Sequence, residues 1–329
     1  MSAFWIPAFA GKTKTSAITA KQDAGATSMI RGILIPVITP FDNNQRVDEP
    51  MLRQLIDFYA ESGVQGLFVL GSSGQGPVMS TEERKRAAEA AVQQAGHRTP
   101  VIIHVGTADT ETTVELAKHA AAQGADAVAV VPPFYYSDHT EYEIISHYKA
   151  VGDATPLPIF IYENPRYAGM SIKPDLAVRM KGMIPSIKGI KVAYGLGSML
   201  DYVRLLPDVS VFTGNADLFG LVPFGLAGMI NPPTSFAPEM CVALWEALES
   251  KDYNRAVEIQ ERVNTTWRLV RDAIQRYGRS TVAETYRMRG FAIQRFPKWD
   301  TEPMPTAARD QLRKELEAVG ALPQASQVR

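Results

Sequence analysis

The chain has 329 residues, of which 46% are hydrophobic and 21% charged, and its formal net charge is −1. This is the composition of a globular protein with a large core, and it gives no electrostatic case for nucleic acid or an anionic membrane as a partner. No apolar run reaches the ~18 residues of a membrane-spanning helix. The single cysteine, Cys241, fits a reducing cytoplasm, where we expect the protein to be located.

The first segment, residues 1–28, shows no helix or strand period. Its apolar side chains, Phe4, Trp5 and Phe9, precede the positive charges, which is the wrong order for a signal peptide. We interpret the segment as a disordered leader, and Met29 as the natural beginning of the first strand.

Between residues 29 and 250, short apolar runs rich in Val and Ile alternate with helical patterns. The runs lack polar alternation, which is typical of strands that are covered on both faces. Asp48, Ser80 and Asp109 are in positions to cap helices that follow three of them. This order predicts an α/β fold, a (β/α)8 TIM barrel. The predicted strands are Ile33–Thr39, Gly66–Leu70, Val101–Val105, Ala127–Val131, Ile159–Tyr162, Ile187–Lys191, Ser210–Thr213 and Ala227–Ile230.

From residue 251 to 329 the strand patterns stop, and three amphipathic helices are predicted over Asp252–Tyr277, Thr281–Arg295 and Pro305–Val319. We interpret them as a C-terminal helical extension that covers a flank of the barrel or builds an oligomer contact. The first strand-to-helix turn, Thr39–Asp42, lacks the glycines of a dinucleotide site, so no nucleotide cofactor is expected.

Barrel enzymes carry their reactive groups at the C-terminal ends of the strands, and two consecutive predicted strands end in Tyr162 and Lys191. A nucleophilic lysine must be neutral, whereas an amine with an ordinary pKa of ~10.4 is neutral in only about one molecule in a few thousand at pH 7. Burial would lower the pKa, and a neighbouring phenol could relay protons. An ion pair is the alternative role for a strand-end lysine. Lys188 should face the opposite side of the strand, while Gly189 leaves room beside Lys191.

The second predicted strand ends in the turn Gly71–Pro77, in which Ser72 and Ser73 stand between glycines. Such a turn leaves backbone N–H groups free to converge on a carboxylate or phosphate, although it could also be a flexible connection. A metal site needs several convergent His, Asp or Glu ligands, and only His104 lies near a strand end. No metal is therefore expected.

Four segments in this order resemble the dihydrodipicolinate synthase / N-acetylneuraminate lyase family, whose members are class I aldolases that use pyruvate. They are Gly71–Gly74, Pro133–Tyr135, Tyr162–Pro165 and Gly189–Lys191, and the similarity runs from about Met29 to Val319. The resemblance implies a Schiff base between a lysine and a 2-oxo acid, which requires no cofactor. It also implies a homotetramer built as a dimer of dimers.

The resemblance further implies a role for each matching residue. Lys191 would form the Schiff base and Tyr162 would relay protons, while Ser72 and Ser73 would bind the carboxylate of the 2-oxo acid. Tyr135 would reach across a dimer interface to join Ser72 and Tyr162. The backbone of Ile230 would lie near the bound oxo acid.

One position departs from the family pattern. Synthases of the family carry an arginine five residues after the relay tyrosine, where this chain has Tyr167, and Arg166 lies one residue earlier. A phenol cannot form the charge-assisted pair that arginine forms with a carboxylate. We therefore expect Tyr167 near the far end of a neutral or hydroxylated aldehyde portion, and an enzyme that is not a strict dihydrodipicolinate synthase.

These observations predict a lyase that cleaves or forms a carbon–carbon bond between a 2-oxo acid and an aldehyde through a Lys191 imine. Three alternatives stay open. A dehydratase or deaminase of a 2-oxo-3-deoxy sugar acid or a related compound would use the same imine. A catalytically silent barrel would only bind an oxo acid, and a metal-dependent aldolase would use other chemistry.

Overall fold

A computed structural model of the chain describes residues 29–193, 195–231 and 234–323. The predicted leader, residues 1–28, lies outside the described residues. The predicted division of the chain at residue 250 stays a prediction.

In the described part of the chain, eight parallel strands close into a barrel in sequence order, with β8 pairing β1. The predicted (β/α)8 architecture is confirmed, and most strand boundaries lie within one or two residues of the prediction. The strands are β1 Gly32–Pro36, β2 Gly66–Val69, β3 Val101–His104, β4 Ala127–Val130, β5 Ile159–Glu163, β6 Ile187–Val192, β7 Ser210–Thr213 and β8 Gly228–Met229.

Helices connect the strands, and three more, α9 to α11, follow the barrel in the sequence and form the C-terminal extension. They are α1 Glu49–Glu61, α2 Thr81–Ala95, α3 Thr110–Ala122, α4 Glu141–Ala154, α5 Pro165–Ala168, α6 Pro174–Met183, α7 Leu196–Leu205, α8 Pro238–Glu249, α9 Tyr253–Tyr277, α10 Ser280–Met288 and α11 Thr306–Ala318. The predicted N-caps are present, because the side chains of Asp48, Ser80 and Asp109 each accept a backbone hydrogen bond from the first turn of their helix.

The core has two layers. Side chains such as Leu34, Ile102 and Phe212 form one buried cluster on alternate strand positions, and a larger cluster packs the other strand face against the helices. The extension is joined to the barrel helices by a buried hydrogen bond of 2.7 Å between the hydroxyls of Tyr59 on α1 and Tyr286 on α10. None of the described helices is long and apolar enough to cross a membrane.

The predicted helix Thr281–Arg295 is too long, because α10 ends at Met288. Gly290 has φ 97°, a left-handed conformation that ends helices and that glycine adopts without strain. The chain then returns to the barrel, where the backbones of Phe41 and Arg295 exchange hydrogen bonds of 3.0 and 3.1 Å. This return places Trp299 in the wall of the cavity described below.

Candidate active site

Lys191 and Tyr162 are paired across the C-terminal ends of β6 and β5, as the strand pattern predicted. The Nζ atom of Lys191 lies 4.4 Å from the ring centroid of Tyr162 and 4.6 Å from that of Phe68. Gly189 is required for a different reason than expected. A Cβ atom on Gly189 would lie 2.3 Å from ring atoms of Phe160, so the space beside it is filled by that ring.

Burial controls the charge of the Lys191 amine. The residue is 4% exposed, and desolvation lowers its pKa from 10.5 to about 7, with a smaller opposing influence from Tyr167. About half of the amines are therefore neutral at pH 7, against about one in a few thousand for an exposed lysine. Lys188, on the other face of β6, is exposed.

The Tyr162 hydroxyl is held by two polar side chains. It shares a hydrogen bond of 2.9 Å with the Ser72 hydroxyl and accepts one of 2.7 Å from Asn164 Nδ2. Burial raises the Tyr162 pKa, while these two hydrogen bonds act in the opposite direction. The phenol keeps its proton at neutral pH and can donate it. Asn164 lies within the segment Tyr162–Pro165, but no role was predicted for it from the sequence.

The Ser72 turn is fixed by its glycines and by the extension. A Cβ atom on Gly76 would lie 2.1 Å from the Leu70 carbonyl oxygen, so no larger residue fits there. Gln75 has φ 58°, and its Oε1 atom accepts a hydrogen bond of 2.8 Å from the backbone N–H of Lys298. Ser73 is half-buried in the same turn. Anion binding by Ser72 and Ser73 stays a prediction.

A second contact joins the extension to the same region. The Nζ atom of Lys298 lies 2.6 Å from both carboxylate oxygens of Glu83, which also closes the capping box of α2. Both side chains are mostly buried, and the Lys298 amine contributes to lowering the Glu83 pKa against the effect of burial. The segment after α10 is thereby attached to the helix that follows the Ser72 turn.

A cavity of about 220 Å³ opens above this site. Its wall combines barrel residues with two residues of the C-terminal extension: Ser72, Gln75, Pro77, Val78, His104, Val131, Phe134, Tyr162, Tyr167, Arg279 and Trp299. His104, whose pKa is lowered well below its ordinary value mainly by burial, is a neutral pocket residue.

The far end of the cavity carries an arginine that was not predicted there. Tyr167 lines the cavity as expected, but it does not leave this end without a cation. Arg279 donates a hydrogen bond of 2.9 Å from Nη2 to the Tyr167 hydroxyl. Arg166 is not among the lining residues, and its Cζ atom lies 5.6 Å from the Tyr167 ring centroid. The predicted preference for a neutral or hydroxylated aldehyde stays a prediction, and Arg279 supports the alternative that is argued below.

Of the predicted site residues, Ser72, Tyr162 and Tyr167 line this cavity, whereas Lys191, Ser73, Arg166, Tyr135 and Ile230 do not. Tyr135 is 86% exposed with φ 84°, and its ring packs against Tyr136 at a centroid distance of 5.1 Å. Its role across a dimer interface stays a prediction. Ile230 is fully buried in the same cluster as Tyr162, and its backbone N–H donates to the Thr213 carbonyl at 2.8 Å.

Among the described residues, no group of three or more His, Cys, Asp and Glu side chains is placed to hold a metal ion. The polar groups that converge here are an amine, a phenol, a serine hydroxyl and an amide. That set can form an imine with a carbonyl carbon and can move protons around it.

Comparison with known proteins shows the family to which the chain belongs. Residues 29–319 match the model of the Dihydrodipicolinate synthetase family. The 4-hydroxy-tetrahydrodipicolinate synthase of Syntrophus aciditrophicus is 36% identical over 239 residues, which is 71% of this chain and 81% of that protein. The corresponding synthase of Kosmotoga olearia is 35% identical over 70% of this chain and 80% of that protein.

Solved structures with the same fold include members of this family. YagE from E. coli K12, a prophage protein of the dihydrodipicolinic acid synthase family solved in complex with pyruvate, has a TM-score of 0.80 and 26% identity, covering 88% of this chain and 98% of that one. KD(P)GA from T. tenax has a TM-score of 0.77 and 26% identity, covering 88% and 98%. The chain is therefore an enzyme of the lyase and aldolase type, and it belongs to the dihydrodipicolinate synthetase family.

Proposed function

We propose that the protein is a class I lyase that forms a Schiff base between Lys191 and a 2-oxo acid, with pyruvate as the simplest substrate. The observation that carries this proposal is the buried Lys191 amine, whose pKa is lowered to about 7 beside the phenol of Tyr162. An exposed lysine would be almost fully protonated and unreactive at this pH.

The proposed reaction begins when the neutral Lys191 amine attacks the C2 carbonyl carbon. The carbinolamine then loses water, and Tyr162 donates the proton that the departing hydroxyl needs. The protonated imine withdraws electrons from C3, so that a C3 proton passes to the Tyr162 oxygen, which gave up its proton in the previous step, and a neutral enamine forms. The enamine carbon attacks the aldehyde carbon while Tyr162 donates its proton to the aldehyde oxygen, and hydrolysis of the product imine by water restores the amine. Cleavage follows the same steps in reverse.

Ser72 has two roles in this proposal. Its hydroxyl passes protons to and from Tyr162 over their hydrogen bond of 2.9 Å. Its turn, with Ser73, binds the carboxylate of the 2-oxo acid through backbone N–H groups. Tyr135, exposed on the monomer, would enter the site of a second protomer in a homotetramer, and Ile230 would contact the oxo acid through its backbone.

The same imine also supports elimination of water from a 2-oxo-3-deoxy sugar acid, or of ammonia from a related amino compound. The similarity to two 4-hydroxy-tetrahydrodipicolinate synthases favours a bond-forming aldol reaction. Product analysis separates the two reactions, since an aldol cleavage splits the carbon chain into two fragments and an elimination leaves it intact.

Borohydride trapping tests the proposal. The protein is incubated with pyruvate and borohydride, and its intact mass and peptide map are measured. We expect one reduced pyruvyl group on Lys191, and neither adduct nor turnover in Lys191→Ala. Lys188→Ala, which removes an exposed lysine of the same strand, is the matched control and should be labelled normally. An adduct on another lysine, or turnover by Lys191→Ala, would refute the proposal.

A further inference from the structure

The C-terminal extension contributes two side chains to the active-site cavity. Arg279 precedes α10 and Trp299 lies on the chain that returns from it, and both line the cavity that also contains Ser72 and Tyr162. Neither residue belongs to a barrel strand or to a strand-to-helix loop. A guanidinium group therefore lines the same cavity as the Ser72 hydroxyl and the Tyr162 phenol, and the Tyr162 ring lies 4.4 Å from the Lys191 Nζ atom.

The positive charge of Arg279 is not neutralised within the described part of the chain. Arg279 contacts two side chains there: its Nη2 atom lies 2.9 Å from the Tyr167 hydroxyl, and its Cζ atom lies 5.9 Å from the centroid of the Trp299 ring. Neither partner is a carboxylate. By contrast, Arg287 near the end of α10 and Arg289 just after it each form an ion pair with a glutamate. Arg279 thus keeps the capacity to bind an anion.

The guanidinium group is also held in one place. The Tyr167 hydroxyl takes one of its five N–H donors, and the indole of Trp299 lies within cation–π distance. A fixed arginine fork is suited to bidentate binding of a carboxylate or a phosphate, because two parallel N–H groups match two oxygens of the anion.

We infer that Arg279 binds an acidic group, a carboxylate or a phosphate, at the far end of the aldehyde portion of the substrate. This inference rests on the proposed Lys191 imine, which places the 2-oxo acid end of the substrate beside Tyr162. The cavity of about 220 Å³ is smaller than the ~300–1,000 Å³ of sites for drug-sized ligands, so the portion of the substrate that it holds is short. Arg279 is then a specificity-determining residue.

Steady-state kinetics with a panel of aldehydes tests this inference. Pyruvate is condensed with glyceraldehyde as the neutral aldehyde, with succinate semialdehyde and aspartate semialdehyde as carboxylates, and with glyceraldehyde 3-phosphate as a phosphate. The wild-type protein should prefer an acidic aldehyde, and the panel identifies which acid. In Arg279→Gln, kcat/KM for that aldehyde should fall about 10- to 150-fold, mainly through KM, because a charge-assisted hydrogen bond is lost.

Two further variants separate binding from a structural role. Arg279→Lys keeps the charge without the planar fork and should give an intermediate preference. Arg276→Gln removes an arginine of α9 that does not line the cavity, and it should behave like the wild type. A wild-type preference for glyceraldehyde, or an unchanged ratio of acidic to neutral kcat/KM in Arg279→Gln, would overturn the inference.

A measurement on the wild-type protein keeps the test independent of variant folding. Borohydride trapping is titrated with 2-oxoglutarate and with 2-oxopentanoate, which have the same chain length and differ in the distal carboxylate. Half-maximal trapping should need at least about tenfold less 2-oxoglutarate, and equal requirements would contradict the role of Arg279. Failure of pyruvate to label Lys191 at all would instead refute the proposed function, so the two failures are distinguishable.

Discussion

Replacing Lys191 by methionine should abolish activity and stabilise the protein. Methionine is unbranched and only one atom shorter than lysine, and it carries no ionisable group, so the barrel mouth remains largely filled. In the wild type, the amine has a pKa of about 7 when folded and about 10.5 when unfolded. At pH 7 folding must remove the proton from half of the amines, and the linkage relation gives a cost of up to about 4 kcal/mol.

The pH dependence has a defined direction. Between pH 7 and 10.5 the unfolded chain binds more protons at Lys191 than the folded one, so the contribution of Lys191 to the stability of the wild type rises with pH in this window. The advantage of Lys191→Met should be constant below about pH 7 and disappear near pH 10.5. The measurement is urea unfolding of both proteins, at equal concentration, at about pH 6, 8 and 9.5.

Lys188→Met is the matched control, because Lys188 lies on the same strand and is exposed, so its removal should change stability much less than Lys191→Met. If Lys191→Met were no more stable than the wild type at about pH 6, or if its advantage did not change with pH, the amine would not be desolvated in the folded state. The chemical basis of the proposed function would then be lost.

Three further outcomes follow from the contacts of the site. Tyr162→Phe keeps the ring that packs on Lys191 and removes the hydroxyl, so kcat should fall by about 10²–10⁴ with little change in melting temperature; an unchanged kcat would remove the relay. Gly189→Ala places a Cβ atom 2.3 Å from the Phe160 ring, so the free energy of unfolding, measured by urea titration, should fall by about 1–3 kcal/mol. Adding Phe160→Leu to this variant should restore part of the lost stability. The rate of imine trapping should rise with pH up to about 7 and then level off, since only the neutral amine attacks, and a rise that continues to pH 10 would mean that the amine has its ordinary pKa.

The barrel and the reactive pair could be predicted from the sequence because their signals are local. Each strand is a short apolar run with a helix pattern after it. Because successive side chains of a strand point to opposite faces, Lys188 and Lys191 were predicted on opposite faces of β6. In the structure Lys188 is exposed and Lys191 is buried. The position of Tyr162 beside Lys191 follows once consecutive strands are parallel neighbours.

The far end of the site could not be predicted in this way. Arg279 meets Tyr167 over a separation of more than a hundred residues, and this contact depends on how the extension docks on the barrel. The position of Trp299 depends on where α10 ends. The helical pattern of the sequence continues beyond Met288, although the chain leaves the helix there and Gly290 adopts a left-handed conformation. Periodicity within one element contains no information about which loops meet across the mouth.

A crystal structure of the protein soaked with pyruvate is the most direct test of the central claim, that Lys191 forms an imine with a 2-oxo acid. We predict continuous density between the Lys191 Nζ atom and C2 of pyruvate, with the pyruvate carboxylate on the turn that carries Ser72 and Ser73. Pyruvate bound without a covalent link to a lysine, or a link to any residue other than Lys191, would contradict the account.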